Sequence, residues 1–224
     1  MKKTKLLESI SLLVIIAMIV LAYYFSQALP ERVISHWNAQ GQADDYSTKN
    51  FFVFFVPLMT IGIYLLMKYL PKIDPKKVNY VKFDVAYNFL RLYIILFMLV
   101  IYYISGMMNL DFGRDWQLNK IMPVLMAVLF ISIGLIMPKI KQNWFAGIRT
   151  PWTLSSSDIW DKTHKLAGKM FILAGIVFLS MMFLPGDYFW VVMAGVIIAA
   201  FVPVIYSYFL YKNSQKLPPE GPRE

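Results

Sequence analysis

Six separate apolar stretches constrain this chain more than any other feature of its sequence. At a rise of 1.5 Å per residue, about 20 helical residues cross the hydrocarbon core of a bilayer, and each stretch is about that long. Only 16% of the residues are charged, too few to cover the surface of a soluble domain. The sequence therefore predicts an all-α integral membrane protein with six transmembrane helices. The predicted helices cover residues 6–28, 51–70, 87–108, 118–137, 166–184 and 188–211.

The distribution of lysine and arginine predicts how these helices are oriented. Of the 22 basic residues, 18 lie in the amino terminus, the second and fourth loops with their flanks, and the tail. The other 4 lie in the first and third loops. Because basic residues collect on the cytoplasmic side, both termini are predicted to be cytoplasmic. The net charge of +9 therefore reflects topology, and we predict no direct binding of nucleic acid.

The first apolar stretch also has features of a secretory signal. It has a lysine-rich start, an apolar middle and small residues at Ser26 and Ala28. Its apolar region is longer than a typical signal core, and cleavage would leave an odd number of spans. We therefore predict that this helix is retained.

The spans divide into two predicted modules of three helices each. Residues 1–110 form the first module, which carries a polar outer loop at residues 29–50. Residues 111–211 form the second module, which carries a cytoplasmic loop at residues 138–165. Residues 212–224 are rich in proline and charge, so they are predicted to be a disordered tail.

The cytoplasmic loop contains the longest polar interruption between the apolar stretches. It carries three tryptophans, and its centre reads Gly-Ile-Arg-Thr-Pro-Trp-Thr-Leu at residues 147–154. Proline fixes its own φ and holds Thr150 in an extended conformation, so no helix runs through residues 150 and 151. The sequence therefore predicts a loop with one defined shape.

A new helix is predicted to begin near Ser156. Ser155 followed by Asp158 is a weak capping box, and Asp158 suits the positive end of a helix dipole. Two acid-then-base pairs at i,i+4 are expected to support the helix, each by about 0.2–0.5 kcal/mol. These pairs are Asp158 with Lys162 and Asp161 with Lys165.

The outer loop at residues 29–50 has two interpretations that the residues leave open. Pro30, Asn38 and Gly41 are turn formers, and the loop is too long for a simple connection. It is either a capped loop whose aromatic rings rest at the lipid headgroups or a recognition surface for an extracellular partner. The spacing around His36 matches no metal-binding motif, and the chain has no cysteine, so we predict no metal site.

Charged residues are missing from the centre of every predicted span, which argues against a proton-coupled transporter. The chain also lacks a glycine-rich phosphate loop, a nucleophile elbow and paired carboxylates at membrane depth. We therefore predict no catalytic residues, no enzymatic activity and no cofactor. An uncoupled channel or transporter, a membrane enzyme and a structural partner of another membrane protein stay open as alternatives. Gly195 and Ala199 are predicted to form a close-packing seam between helices.

Two parts of the chain resemble a known family. The GIRTPWTL segment, followed by Asp158, Trp160, His164 and Gly168, is similar to the signature of the SdpI family of bacterial immunity proteins. Leu29-Pro30, the His-Trp-Asn string at residues 36–38 and Pro57 resemble the membrane module of unknown function found ahead of that signature.

The resemblance implies a multi-pass protein of the bacterial cell membrane that protects against an extracellular peptide toxin. It also implies a signalling role, in which a cytoplasmic transcriptional repressor is held at the membrane. We therefore expect a toxin-facing set in the outer loop and a partner-binding set in the cytoplasmic loop, with a structural role at the lipid headgroups as the alternative for each residue. The toxin-facing residues are His36, Trp37, Asn38, Gly41 and Asp45. The partner-binding residues are Arg149, Thr150, Pro151, Trp152, Thr153, Trp160 and His164.

Overall fold

A computed structural model describes residues 2–110, 113, 116–184 and 189–215, and it contains seven α-helices and a β-hairpin within those residues. The six long helices are α1 (Lys2–Ala28), α2 (Lys49–Ile73), α3 (Asp84–Met108), α4 (Leu118–Ile136), α6 (Ser157–Ser180) and α7 (Phe189–Ser214). The short helix α5 covers Pro151–Ser155, and the hairpin strands are β1 (Arg32–Trp37) and β2 (Ala43–Thr48). Single 3₁₀ turns cover Lys77–Lys82 and Met137–Lys139.

The prediction of six transmembrane helices is confirmed. Each long helix has the length and apolar composition needed to cross a membrane. Most of the helices extend beyond the predicted apolar stretches at one end, for example through the polar first turns of α1 and α6. Helix α6, however, ends at Ser180, four residues before the predicted limit. α7 also continues to Ser214, so the first three residues of the predicted disordered tail are helical, and residues 216–224 lie outside the described residues.

The loop at residues 29–50 folds into an antiparallel β-hairpin, which the turn residues alone did not predict. At its tip, the side-chain oxygen of Asn38 accepts hydrogen bonds from the backbone N–H groups of Gln40 and Gln42, each at 3.0 Å. Gly41 has a φ of +78°, a conformation that glycine adopts without strain. The register shifts near His36, as in a β-bulge, which bends the strand.

The hairpin is fixed to one end of the helical bundle. Asn109, at the end of α3, accepts from the N–H of Ile34 at 2.7 Å and donates to its carbonyl oxygen at 3.1 Å. Val33 is buried against Phe25 and other apolar residues of the bundle. A methyl group added at Gly41 would lie 3.1 Å from the backbone nitrogen of Asn119, at the start of α4. We call this end of the bundle the hairpin end.

Helices α4 and α6 approach each other closely. A Cβ added at Gly134 would lie 2.7 Å from the carbonyl oxygen of Gly168, and one added at Gly168 would lie 2.8 Å from that of Gly134. Small residues therefore form the seam between these two helices. The seam predicted at Gly195 is wrong, because the nearest atom to a Cβ there belongs to Val177 at 4.0 Å.

Candidate functional site

The end of the bundle opposite the hairpin holds an ordered polar loop, residues 139–155, which we call the signature loop. Its central residue is Asn143, whose side chain is completely buried. The side-chain oxygen of Asn143, Oδ1, accepts hydrogen bonds from the backbone N–H groups of Phe145 at 2.8 Å and Ala146 at 2.6 Å. Its amide group donates to the carbonyl oxygens of Lys141 and Ala146, both at 2.9 Å. One side chain thus replaces the backbone pairing that an irregular loop lacks.

The connection between α2 and α3 supports the signature loop from one side. Asp74, which is 2% exposed, accepts from the N–H of Trp144 at 2.9 Å and from the hydroxyl of Tyr80 at 3.0 Å. Burial, followed by the hydrogen bond to Asp74, raises the pKa of Tyr80 above its ordinary value. The Tyr80 hydroxyl therefore stays protonated and donates its one proton to Asp74, and the same hydroxyl lies 3.3 Å from the side-chain oxygen of Asn143.

Helix α6 supports the signature loop from a second side through Trp160 and His164. The Trp160 indole N–H donates to the carbonyl oxygen of Ile140 at 2.9 Å, and its ring stacks on His164 with centroids 4.1 Å apart. His164 Nε2 accepts from the N–H of Ile148 at 3.0 Å, so His164 Nδ1 carries the proton and donates to the Trp160 carbonyl at 2.8 Å. Gly147 has a φ of +106°, and a Cβ added there would lie 2.3 Å from His164 Nε2.

The turn at Thr150 and Pro151 begins the short helix α5. Thr150 is the extended N-cap residue, and its side chain and that of Thr153 bond reciprocally to backbone N–H groups. Thr150 Oγ1 also lies 3.2 Å from the Ser207 hydroxyl, and the Trp152 ring packs edge-on against Tyr208 at 5.2 Å. Helix α7 therefore holds the turn in place.

Three of the residues predicted to bind a cytoplasmic partner are completely buried: Thr153, Trp160 and His164. Their side chains contact the signature loop, and their burial argues against the predicted contact role of each. Thr150 is also buried, Arg149 and Pro151 are exposed, and Trp152 is partly exposed. Arg149 donates to the carbonyl oxygen of Trp144 at 2.9 Å.

Trp144, which is 46% exposed, is a surface residue of this loop that the sequence interpretation missed. Its only signal in the sequence was that it is a tryptophan within a polar segment.

The start of α6 differs in detail from the prediction. Ser156 is the N-cap residue, and its hydroxyl accepts from the N–H of Ile159 at 3.4 Å, so the proposed cap at Ser155 is wrong. The predicted pair of Asp158 with Lys162 is present at 2.7 Å. Asp161 instead binds Lys141 of the signature loop at 3.0 Å, in place of the predicted pairing within α6.

A second candidate site is a cavity of about 690 Å³ at the hairpin end, which we call the hairpin cavity. One wall is the hairpin, and the other walls are the ends of α3, α4, α6 and α7. Methionine and aromatic side chains dominate the helical walls, and polar hairpin residues form the rest. The helical lining includes Met122, Met126, Phe178, Met181, Trp190 and Met193.

Four of the five predicted toxin-facing residues line this cavity together: His36, Trp37, Asn38 and Gly41. The fifth, Asp45, is exposed on the same hairpin and does not line the cavity. Its neighbour Asp44 does, and its carboxylate lies 2.6 Å from His36 Nδ1. The methionine and aromatic walls were missed because their residues belong to three separate helices and their ends, α4, α6 and α7, and resemble ordinary membrane-spanning positions.

Neither site has the composition of a metal centre. Within the described ranges, no group of three or more His, Cys, Asp or Glu residues is placed to hold a metal ion. His36 and Asp44 form a pair, and His164 lies at the opposite end of the bundle.

The signature loop lies in a segment that is similar to a known family. The SdpI/YfhL protein family matches residues 139–207, which begin with the signature loop and include most of α7. The domain of unknown function DUF1648 matches residues 12–61, which cover most of α1, the hairpin and half of α2.

The chain as a whole is similar to the protein named Immunity protein SdpI from Bacillus subtilis (strain 168). The two chains are 26% identical over 207 residues, which is 91% of this chain and 95% of the relative. No solved structure matches the chain. This similarity and the six membrane-spanning helices identify the chain as a multi-pass bacterial membrane protein. Its relative is named as an immunity protein, and immunity proteins are not a known class of enzyme.

Proposed function

We propose that this protein is a membrane immunity protein that confers resistance to an extracellular antimicrobial peptide toxin, which it binds in the hairpin cavity. The observation that carries the proposal is the cavity itself, in which the hairpin residues and four helix ends meet. The name of the Bacillus subtilis relative supports the immunity function. The excess of basic residues at the other end of the bundle supports an extracellular position for the hairpin.

The composition of the hairpin cavity suits a membrane-active peptide. Methionine side chains are flexible and polarizable, so they adapt to apolar side chains of different shapes. A volume of about 690 Å³ accommodates several side chains of a peptide rather than a whole peptide. The paired His36 and Asp44 at the polar wall provide hydrogen-bonding groups for the backbone or polar side chains of the peptide.

The first prediction concerns survival under toxin. Bacteria sensitive to membrane-active peptides and expressing the full chain are expected to survive a peptide that kills cells without it. Trp37→Ala and Trp190→Ala each remove a ring from the cavity wall, so each is expected to raise sensitivity by about tenfold or more, as interface tryptophans often contribute over 1.4 kcal/mol. The measurement is the minimal inhibitory concentration at matched membrane levels.

Two residues at the same end provide matched controls for this prediction. Asp45→Ala changes the same hairpin, and Phe183→Ala removes an exposed ring beyond α6, but neither residue lines the cavity. Both variants are expected to protect as well as the wild type. Equal sensitivity of cavity and control variants would argue against toxin binding in the cavity, and failure of the wild type to protect against every peptide would argue against immunity.

The signature loop supports a second part of the proposal, in which a transcriptional repressor is held at the cytoplasmic side. The loop presents Trp144 and Arg149 on a backbone fixed by buried hydrogen bonds. Tryptophan and arginine are the residues most enriched among interface anchors. A fixed loop also loses little conformational entropy when a partner binds.

The second prediction separates signalling from protection. Arg149→Ala is expected to leave peptide resistance unchanged and to abolish induction of an operon reporter by toxin, because the two sites lie at opposite ends of the bundle. Lys139→Ala is the control, since Lys139 is an exposed cation on the same loop. Loss of resistance with Arg149→Ala, or unchanged induction, would contradict the assignment of signalling to this loop.

A further inference from the structure

A second cavity, of about 680 Å³, lies between α1, α2 and α3 at the signature-loop end, and the proposed function does not use it. Its walls combine apolar residues, such as Met67 and Pro71, with a concentration of charge. Among the described residues, the charged side chains that line it are Lys5, Glu8, Lys68, Lys72, Asp84 and Arg91.

The charges in this cavity do not balance. Glu8 binds two cations, Lys68 at 2.8 Å and Arg91. Asp84 accepts hydrogen bonds from uncharged groups, the Thr4 hydroxyl at 2.6 Å and the Asn88 amide at 2.8 Å. Four cations therefore face two carboxylates, which leaves a surplus of two positive charges within a partly apolar enclosure. Such a surplus attracts an anion more strongly than it would in open water.

Arg91 provides an independent sign of a missing partner. Its side chain is 4% exposed, and its Nε–H is shielded from water and lacks an acceptor among the described residues. Buried donors normally have acceptors, and leaving one without a partner costs about 1–3 kcal/mol. The planar guanidinium offers several N–H groups in a geometry that matches the oxygens of a phosphate.

The depth of the cavity indicates the source of the anion. Glu8 and Arg91 lie about two helical turns, or about 10 Å, from the starts of α1 and α3. A bilayer about 40–45 Å thick has a hydrocarbon core of about 30 Å, so each headgroup layer is about 5–8 Å deep and this cavity lies just beneath it. Apolar walls beside basic residues suit an amphiphile better than a free ion, and basic pockets between membrane helices bind anionic headgroups.

We propose that this cavity binds the phosphate of an anionic phospholipid, with Arg91 as the buried contact and Lys5 and Lys72 as exposed contacts at the rim. The lipid would pack against α1, α2 and α3 and so stabilise their arrangement. Because Tyr80 lines the same cavity and hydrogen-bonds to Asp74, the bound lipid would lie beside the support of the signature loop.

Native mass spectrometry of the full-length protein in detergent tests this proposal. Phosphatidylglycerol is expected to remain bound at concentrations where phosphatidylcholine does not. The double variant Lys5→Gln/Lys72→Gln is expected to weaken phosphatidylglycerol binding by roughly 30-fold, at about 1 kcal/mol for each lysine near an anionic headgroup. Both lysines are exposed and neither pairs with Glu8, so the variant keeps the ion pairs of Glu8 with Lys68 and Arg91 intact. Lys139→Gln/Lys169→Gln is the control, because both are exposed lysines outside the cavity.

Three results would overturn the proposal. Equal retention of the two lipids would remove the specificity for an anion, and an equal loss in the control variant would show attraction to overall charge alone. Competition by soluble glycerol phosphate at the concentration of the lipid would assign the cavity to a free phosphate compound instead. Arg91→Lys, which keeps the charge but removes the planar donor set, is expected to weaken phosphatidylglycerol binding by about tenfold.

Discussion

Asn143→Ala is expected to give one of the two largest losses of stability in this protein. The substitution removes two donated and two accepted hydrogen bonds at a completely buried position. At about 1 kcal/mol for each bond, the expected loss in the free energy of unfolding is about 4 kcal/mol. The midpoint of thermal unfolding of the purified protein should therefore fall by about 8–16 °C, at about 2–4 °C for each kcal/mol.

Asn79→Ala is the matched control for this prediction. Asn79 is also an asparagine facing the signature loop, but it donates a single hydrogen bond, to the Gln142 carbonyl oxygen at 2.7 Å. Its loss is expected to lower the midpoint by no more than about 4 °C. If the two variants unfold at the same temperature, the loop does not depend on Asn143.

Gly147→Ala is expected to disrupt the signature loop for a steric reason. A Cβ at this position would lie 2.3 Å from His164 Nε2, the atom that accepts the Ile148 hydrogen bond. The φ of +106° is also strained for any residue with a side chain. Backbone strain of about 1–3 kcal/mol and the loss of one hydrogen bond are together expected to lower the free energy of unfolding by about 2–4 kcal/mol. Trypsin should then cleave after the exposed Arg149 faster than in the wild type.

Gly62→Ala provides the control, because a Cβ there meets no atom within 4 Å and the residue lies inside α2. It is expected to leave cleavage unchanged and to stabilise α2 slightly, since alanine favours helices over glycine by about 1 kcal/mol.

A double-mutant cycle of Gly147→Ala and His164→Ala tests the steric explanation directly. Because His164→Ala removes the ring that Gly147→Ala would contact, the double variant should lose less stability than the sum of the two single variants. Additive losses would exclude the steric explanation.

The long helices and the turn at Pro151 were predictable because their signals are local. Each membrane helix must satisfy its backbone internally, so length and apolar composition are enough to identify it. Proline restricts the conformation of Thr150 wherever it occurs, and the structure has Thr150 as an extended N-cap residue, as expected.

The β-hairpin was less predictable, because its strand Ala43–Thr48 is polar and mostly exposed and lacks the alternation that indicates a strand. It is held by Asn109 and by the approach of Gly41 to Asn119, both of which are distant in sequence. The hairpin cavity was hard to predict for the same reason, because residues that are distant in sequence form it. Four of its predicted residues could be named from the loop, but its methionine walls depend on how the ends of α4, α6 and α7 pack.

By itself, the sequence determined the number of membrane helices, their approximate limits, and the family signature in the second half of the chain. Only the tertiary structure decided which signature residues face outward. Trp160 and His164 resemble contact residues in the sequence, but they are buried under the loop, whereas Trp144 and Arg149 reach its surface. The physical reason is that helix formation depends on neighbouring residues, but the burial of a polar side chain depends on partners such as Ile140 and Ile148, which only the folded chain brings close.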